Sequence, residues 1–152
     1  MAIEGWYFKI VDQAEQHPHA IIPGGFLGAD PHAFDVRIAG NHFHESGMTL
    51  NIDSESIQVR GQVEFGPFYK WPVRLVSPGA MGPYALTPFM ECYHGMLSMR
   101  HTLAGELSFN HQPPIRYSGG LGYCEKDRGR SFPAAFCTRR TKDRCSNASR
   151  KR

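Results

Sequence analysis

The segment IQVRGQVEF (Ile57–Phe65) alternates apolar and polar residues, and this alternation decides the fold class. Four apolar residues fall on one side of an extended chain, because successive side chains of a strand point to opposite faces. They are Ile57, Val59, Val63 and Phe65. Gly61 occupies the same register and predicts a bulge or a bend. The segment therefore predicts a half-buried β-strand.

Strand patterns recur along the chain, whereas periods typical of a helix hardly occur. The proline-rich stretch Gly66–Pro88 predicts a loop with short extended pieces. We therefore expect an all-β fold, either an antiparallel barrel or an open sandwich, with less than about one-sixth helix. The further predicted strands are Trp6–Val11, Ala20–Pro23, Phe34–Ile38, Met48–Ile52, Phe89–His101, Leu103–Phe109 and Ile115–Lys126.

The length and the charge distribution predict one folded domain followed by a basic tail. A chain of 152 residues is long enough for one modest core. Residues 137–152 contain seven Lys or Arg and one acidic residue, while the remainder contains ten basic and thirteen acidic residues. The basic character thus belongs to the tail, which we expect to be disordered. The composition of the body gives no support for nucleic-acid binding.

The cysteines and the hydrophobicity profile favour a reduced, cytoplasmic setting. The four cysteines show no C-x-x-C spacing, and the scattered histidines offer no set of three ligands, so we predict no metal site and no disulfide framework. No apolar run approaches the length of a transmembrane helix, and the N-terminal residues do not have the pattern of a signal peptide.

Period-two alternation also groups the candidate polar residues. Tyr123, Glu125 and Asp127 share one face of their predicted strand, and Glu91 and Tyr93 share one face of theirs. If the two faces line one cavity, the carboxylates and tyrosines of both strands converge there.

Several blocks of the sequence resemble the tocopherol cyclase family. They are EGWYFKIVD (Glu4–Asp12), FHESGMTLNID (Phe43–Asp53), WPVRLVSPGAMGPYALTPFMECYHGMLSM (Trp71–Met99) and GYCEKDRGRSFP (Gly122–Pro133). The resemblance covers most of Ile3–Phe136. It implies a lipocalin-like barrel that cyclises a prenylated hydroquinone to a chromanol, an intramolecular lyase reaction without a cofactor.

The family's sequences continue beyond the position of Phe136, where this chain diverges. We therefore expect residues 1–136 to form a partial tocopherol cyclase-like β-domain, incomplete relative to the family. An incomplete barrel admits water, so we expect little turnover from this chain alone.

The implied reaction needs an acid that protonates an isolated alkene, and a carboxyl group does this best in a dry cavity that raises its pKa. Asp127 is the leading candidate for the acid, followed by Glu125 and then Glu91, with Tyr123 beside them. The alternative is that Glu125 and Asp127 form a structural ion-pair network with Lys126 and Arg130.

An apolar cavity with aromatic walls would suit a prenyl tail and would stabilise a cation. Its expected partner is an apolar, prenyl-quinol-like small molecule, reached through peripheral contact with a membrane. A lipocalin-like binding module without catalysis is the alternative, and a degenerate product without function is a third interpretation. The candidate substrate-binding residues are Trp6, Trp71, Tyr84, Phe89, Tyr93, His94 and Arg130.

Overall fold

The computed structural model describes residues 3–25, 35–74, 78–87 and 92–129. The described residues form a ten-stranded antiparallel sheet and a single short 3-10 helix, Gly82–Leu86. The strands are β1 (Ile3–Val11), β2 (His19–Ile21), β3 (Gly24–Gly25), β4 (Asp35–Ile38), β5 (Asn41–His44), β6 (Gly47–Asp53), β7 (Gln58–Phe65), β8 (Cys92–Phe109), β9 (Ile115–Arg116) and β10 (Leu121–Gly129).

The strands follow the hydrogen-bonded order β2-β1-β10-β8-β7-β6-β5-β4, with β3 paired to β1 and β9 paired to β8. Every pairing is antiparallel. The prediction of an all-β antiparallel open barrel with little helix is confirmed. The predicted basic tail, residues 137–152, lies outside the described residues.

The sheet curls around a core of apolar side chains from opposite parts of the strand order. Phe8 of β1 stacks on Phe43 of β5 and on Phe65 of β7, with ring centroids 5.5 Å and 5.9 Å apart. These strands are not hydrogen-bonded neighbours, so only curvature of the sheet can bring their rings together. The curled sheet is therefore an open half-barrel whose concave face holds the core.

The structure changes several of the local predictions. Ile115–Lys126 was predicted as one strand but is divided into Ile115–Arg116 and Leu121–Gly129. Phe89–His101 and Leu103–Phe109 were predicted as separate strands, but Cys92–Phe109 is one continuous strand. The short strand Asn41–His44 was not predicted, because three of its four residues are polar. The pairing of β7 with both neighbours runs without a register shift through Gly61, so the predicted bulge is wrong.

Gly61 and Gly105 instead allow the backbones of β7 and β8 to approach closely. Gly105 has a φ of 119°, and a Cβ atom there would lie 2.3 Å from the carbonyl oxygen of Gln62. Gly61 has a φ of 137°, and its Cβ would lie 2.3 Å from the carbonyl oxygen of Glu106. Both positions therefore require glycine for conformation and for space.

We expect Gly105→Ala to lower the free energy of unfolding by about 1–3 kcal/mol, because the backbone must leave its native φ or move away from β7. Gly95→Ala is the matched control, since a Cβ there meets only the carbonyl oxygen of Lys126 at 3.4 Å. Urea unfolding of both variants measures the difference. Equal midpoints would contradict the proposed constraint.

His101 is a histidine enclosed by the core. It is 2% exposed, it lies 4.7 Å from the ring of Phe65 and 4.8 Å from that of Phe68, and its Nδ1 is 2.9 Å from the hydroxyl of Ser98. Burial lowers the pKa of His101 from 6.5 to about 4. The folded protein therefore holds this imidazole neutral at a pH where the unfolded chain protonates it.

Because the pKa of His101 is depressed in the folded state, unfolding takes up a proton between pH 6.5 and about 4. We expect stability to fall as the pH decreases through this interval, by up to roughly 3 kcal/mol from this residue. Denaturation of the native protein and of His101→Phe at a series of pH values measures the contribution. An unchanged pH dependence in the variant would assign the loss to other groups.

Candidate functional site

The candidate site lies on β10, which runs between β1 and β8. Alternation along β10 puts Tyr123, Glu125 and Asp127 on one face, as predicted from the sequence. The other face holds Cys124 and Lys126, which stand opposite Phe8 and Trp6 of β1. Since Phe8 and Trp6 belong to the core, Tyr123, Glu125 and Asp127 face away from it.

One histidine of β8 joins the two carboxylates. Asp127 is paired with His94 in the ladder, and Nδ1 of His94 donates to Oδ1 of Asp127 at 2.7 Å. Nε2 of the same ring lies 3.5 Å from Oε2 of Glu125. The hydroxyl of Tyr123 donates to that same carboxylate oxygen. We refer to His94, Tyr123, Glu125 and Asp127 as the His94 cluster.

The His94 cluster is half-buried and contains a phenol that keeps its proton. The side chains of His94, Asp127 and Glu125 are 38%, 32% and 21% exposed. Burial raises the pKa of Tyr123, and its hydrogen bond to Glu125 raises it further. Tyr123 is thus a hydrogen-bond donor throughout the neutral range, and the cluster is a connected set of groups that can hold and pass protons.

A cavity of about 480 Å³ adjoins the cluster at His94. Its walls include the apolar side chains of Phe68, Trp71, Met81 and Met96, with Lys70 and Glu45 among its polar groups. The backbone N–H of His94 donates to the sulfur of Met81 at 3.0 Å, which ties the loop at Met81 to β8. We refer to this cavity as the Trp71 pocket.

The predicted convergence of Glu91 and Tyr93 with the β10 carboxylates fails for Tyr93. Tyr93 stands opposite Arg128, so it lies on the other face of the sheet from Asp127, and its hydroxyl donates to the carbonyl of Thr87 at 2.7 Å. The sequence pattern groups residues within one strand, but the register between strands decides which groups meet. Glu91 lies outside the described residues.

The other predicted ligand-wall residues occupy different surroundings. Trp71 lines the pocket that His94 also lines. Trp6 is 3% exposed and packs in the core, with Nζ of Lys126 4.5 Å from its ring centroid. Tyr84 is 69% exposed on the 3-10 helix. Phe89 and Arg130 lie outside the described residues.

The ion pair that the structure shows for Lys126 is with Glu4, on the opposite face of β10 from Glu125 and Asp127. Nζ of Lys126 lies 2.9 Å from Oε2 of Glu4 on the core face, and Nε of Arg128 lies 3.6 Å from Oε1 of the same carboxylate. Glu4 was missed from the sequence, although it shares the register of Trp6 and Phe8 in EGWYF. A carboxylate in phase with core residues needs a cation, and this signal could have identified the pair.

Two cysteines are among the described residues, and both are free thiols. Burial raises the pKa of Cys124 to about 12. Burial and then the nearby charge of Asp127 raise the pKa of Cys92. Neither thiol is therefore activated as a nucleophile at neutral pH.

In the described part of the chain, one group of side chains has donor atoms close enough to hold a metal ion. One donor atom each from His94, Glu125 and Asp127 lies within 4.8 Å of the others. The hydrogen bond between His94 and Asp127 accounts for much of this proximity. The arrangement suits proton transfer without an ion.

No helix among the described residues is long and apolar enough to cross a membrane. Comparison with protein-family profiles, with curated proteins and with solved structures finds no match to this chain.

We expect Lys126→Met to lower the free energy of unfolding by about 3 kcal/mol, because it leaves the carboxylate of Glu4 in the core without its nearest cation. Arg60→Met is the control: Arg60 pairs with Asp53 at 3.5 Å, and their side chains are 62% and 59% exposed. Its removal should change stability by less than about 0.5 kcal/mol. Chemical denaturation at neutral pH tests both variants, and similar losses for the two would show that burial does not strengthen the Glu4 pair.

Proposed function

We propose that the protein binds a prenylated hydroquinone, or a closely similar alkenyl phenol, in the Trp71 pocket and assists its ring closure. The observation behind this proposal is that His94 both lines the pocket and donates to Asp127. His94 thus lies between the apolar and aromatic walls of the pocket and the two carboxylates of β10. The resemblance to the tocopherol cyclase family supports the same reaction.

Ring closure is an isomerisation in which one proton leaves and one proton enters. The protonated ring of His94 gives a proton to the less substituted carbon of the alkene, the phenolic oxygen bonds to the tertiary carbon, and the phenol then loses its proton, which restores the protonated ring. His94 accepts the phenolic proton, Asp127 fixes the orientation of the imidazole, and Glu125 with Tyr123 connects the ring to a second proton-holding group. The faces of Trp71 and Phe68 stabilise the developing cation.

Binding without chemistry is the second candidate, and the position of the carboxylates favours it. Neither Glu125 nor Asp127 lines the Trp71 pocket, and both side chains retain contact with solvent. A carboxyl group in contact with water protonates an isolated alkene poorly, because its charged form is well solvated. A slow cyclase and a binding protein would therefore share this pocket and differ in proton delivery.

We expect the purified chain to bind a prenylated hydroquinone and to convert it slowly to the chromanol. Asp127→Asn should leave the dissociation constant nearly unchanged. It should lower the rate of conversion by about 100-fold, which is a typical contribution of general acid–base catalysis. Trp71→Leu should weaken binding. Calorimetry measures the binding, and chromatography of the product measures the conversion.

His42→Gln is the matched control, because His42 also lies close to a carboxylate, with Nε2 3.0 Å from Oδ1 of Asp35, but away from the Trp71 pocket. It should affect neither measurement. Binding without conversion in the native protein would favour the second candidate. Absence of binding would contradict both.

A further inference from the structure

A second cavity, of about 430 Å³, lies where the curled sheet begins and ends. The hydrogen-bonded order starts at β2 and finishes at β4, and residues of both strands line the cavity. We refer to it as the seam cavity. Its lining residues are His19, Ala20, Ile21, Ile22, Pro23, Ile38, Asn41, Phe43, Leu50, Ile52, Ile57, Val59 and Phe109.

The seam cavity has a floor of core residues and an open, apolar rim. Phe43, Leu50 and Val59 form part of its floor and are 3%, 2% and 4% exposed. Ile22 and Ile57, which are 67% and 43% exposed, form apolar parts of the lining that solvent reaches. Pockets for small molecules typically have volumes of about 300–1,000 Å³ with apolar walls and few polar groups. The seam cavity meets this description.

His19 supplies one polar group to the cavity, and its contacts indicate its tautomer. Its ring stacks on Phe109 with centroids 4.3 Å apart, and its Nδ1 lies 2.7 Å from the hydroxyl of Tyr117. The carbonyl oxygen of His17 lies farther from the same nitrogen, at 3.2 Å, in an exposed contact that water can replace. The phenol of Tyr117 is buried and keeps its proton, because burial raises its pKa to about 12, and among the described residues its acceptor is Nδ1 of His19. Tyr117 therefore donates to Nδ1. In the neutral ring the remaining proton is then on Nε2.

The other polar side chain of the cavity is already engaged. The amide nitrogen of Asn41 donates to the carbonyl of Ile38 at 3.0 Å, and its oxygen accepts from the backbone N–H of Asn51 at 2.8 Å. Among the described residues, none accepts a hydrogen bond from Nε2 of His19. The cavity therefore presents an apolar enclosure with one hydrogen-bond donor.

We propose that the seam cavity binds an amphiphile with an apolar chain and an anionic carboxylate head that accepts from Nε2 of His19. An added β-strand is a poorer occupant, because β2 has three residues and β4 has four, so either edge offers few ladder hydrogen bonds. This site shares no residue with the Trp71 pocket or the His94 cluster, so it does not depend on the reaction proposed there.

Titration of the full chain with the fluorescent polyene cis-parinaric acid tests the proposal, with circular dichroism confirming that each variant is folded. Ile57→Trp places a bulky ring at the solvent-exposed part of the lining and should weaken binding at least tenfold. Leu86→Trp is the control, because Leu86 is also an exposed apolar residue and lines neither cavity. It should leave the affinity within about twofold.

Competition on the native protein tests the head group without any variant. Dodecanoate should displace the probe at a concentration at least tenfold lower than dodecylamine, whose ammonium head can only donate. His19→Phe preserves the stacking on Phe109 and should remove this preference. Absence of probe binding, equal displacement by the two amphiphiles, or equal affinities of Ile57→Trp and Leu86→Trp for the probe would overturn the proposal.

Discussion

The antiparallel register between β10 and β8 decides which polar side chains of this protein can interact. The ladder begins with Leu121 opposite Thr102 and shifts twice, on either side of Cys124. An uninterrupted ladder from the first pair would place Asp127 opposite Met96 instead of His94. One shift alone would exchange the face of β8 that each β10 side chain meets, and the second shift restores the original face. The His94 cluster therefore depends on both irregularities.

The same strand distributes its charges between two very different surroundings. Glu125, Lys126 and Asp127 are consecutive and look like one ion-pair network in the sequence. In the sheet, Lys126 turns toward Glu4 and the ring of Trp6, whereas the two carboxylates turn toward His94. The inner pair is shielded from water, so loss of either partner would leave an uncompensated buried charge. The outer groups remain hydrated and can exchange protons, which is what acid–base chemistry requires.

The sequence predicts which residues share a face of one strand better than it predicts which residues of neighbouring strands meet. The alternation in Ile57–Phe65 and the shared face of Tyr123, Glu125 and Asp127 are local properties, and the structure shows both. The meeting of Asp127 with His94 depends on the pairing of two strands, which brings together residues 33 positions apart, and on two register shifts, and neither leaves a periodic signal. Trp71 was predicted as a ligand-wall residue, but its place beside His94 depends on how the segment before β8 folds back.

The aromatic core connects the two cavities through ring contacts. Phe43 stacks on Phe8, Phe8 on Phe65, and Phe65 contacts Phe68, with centroid separations of 5.5, 5.9 and 6.1 Å. Phe43 lines the seam cavity, and Phe68 lines the Trp71 pocket. Rings packed at the density of a protein interior leave no space for a ligand to pass between them. The core that curls the sheet therefore also separates the two cavities, so each is a site of its own.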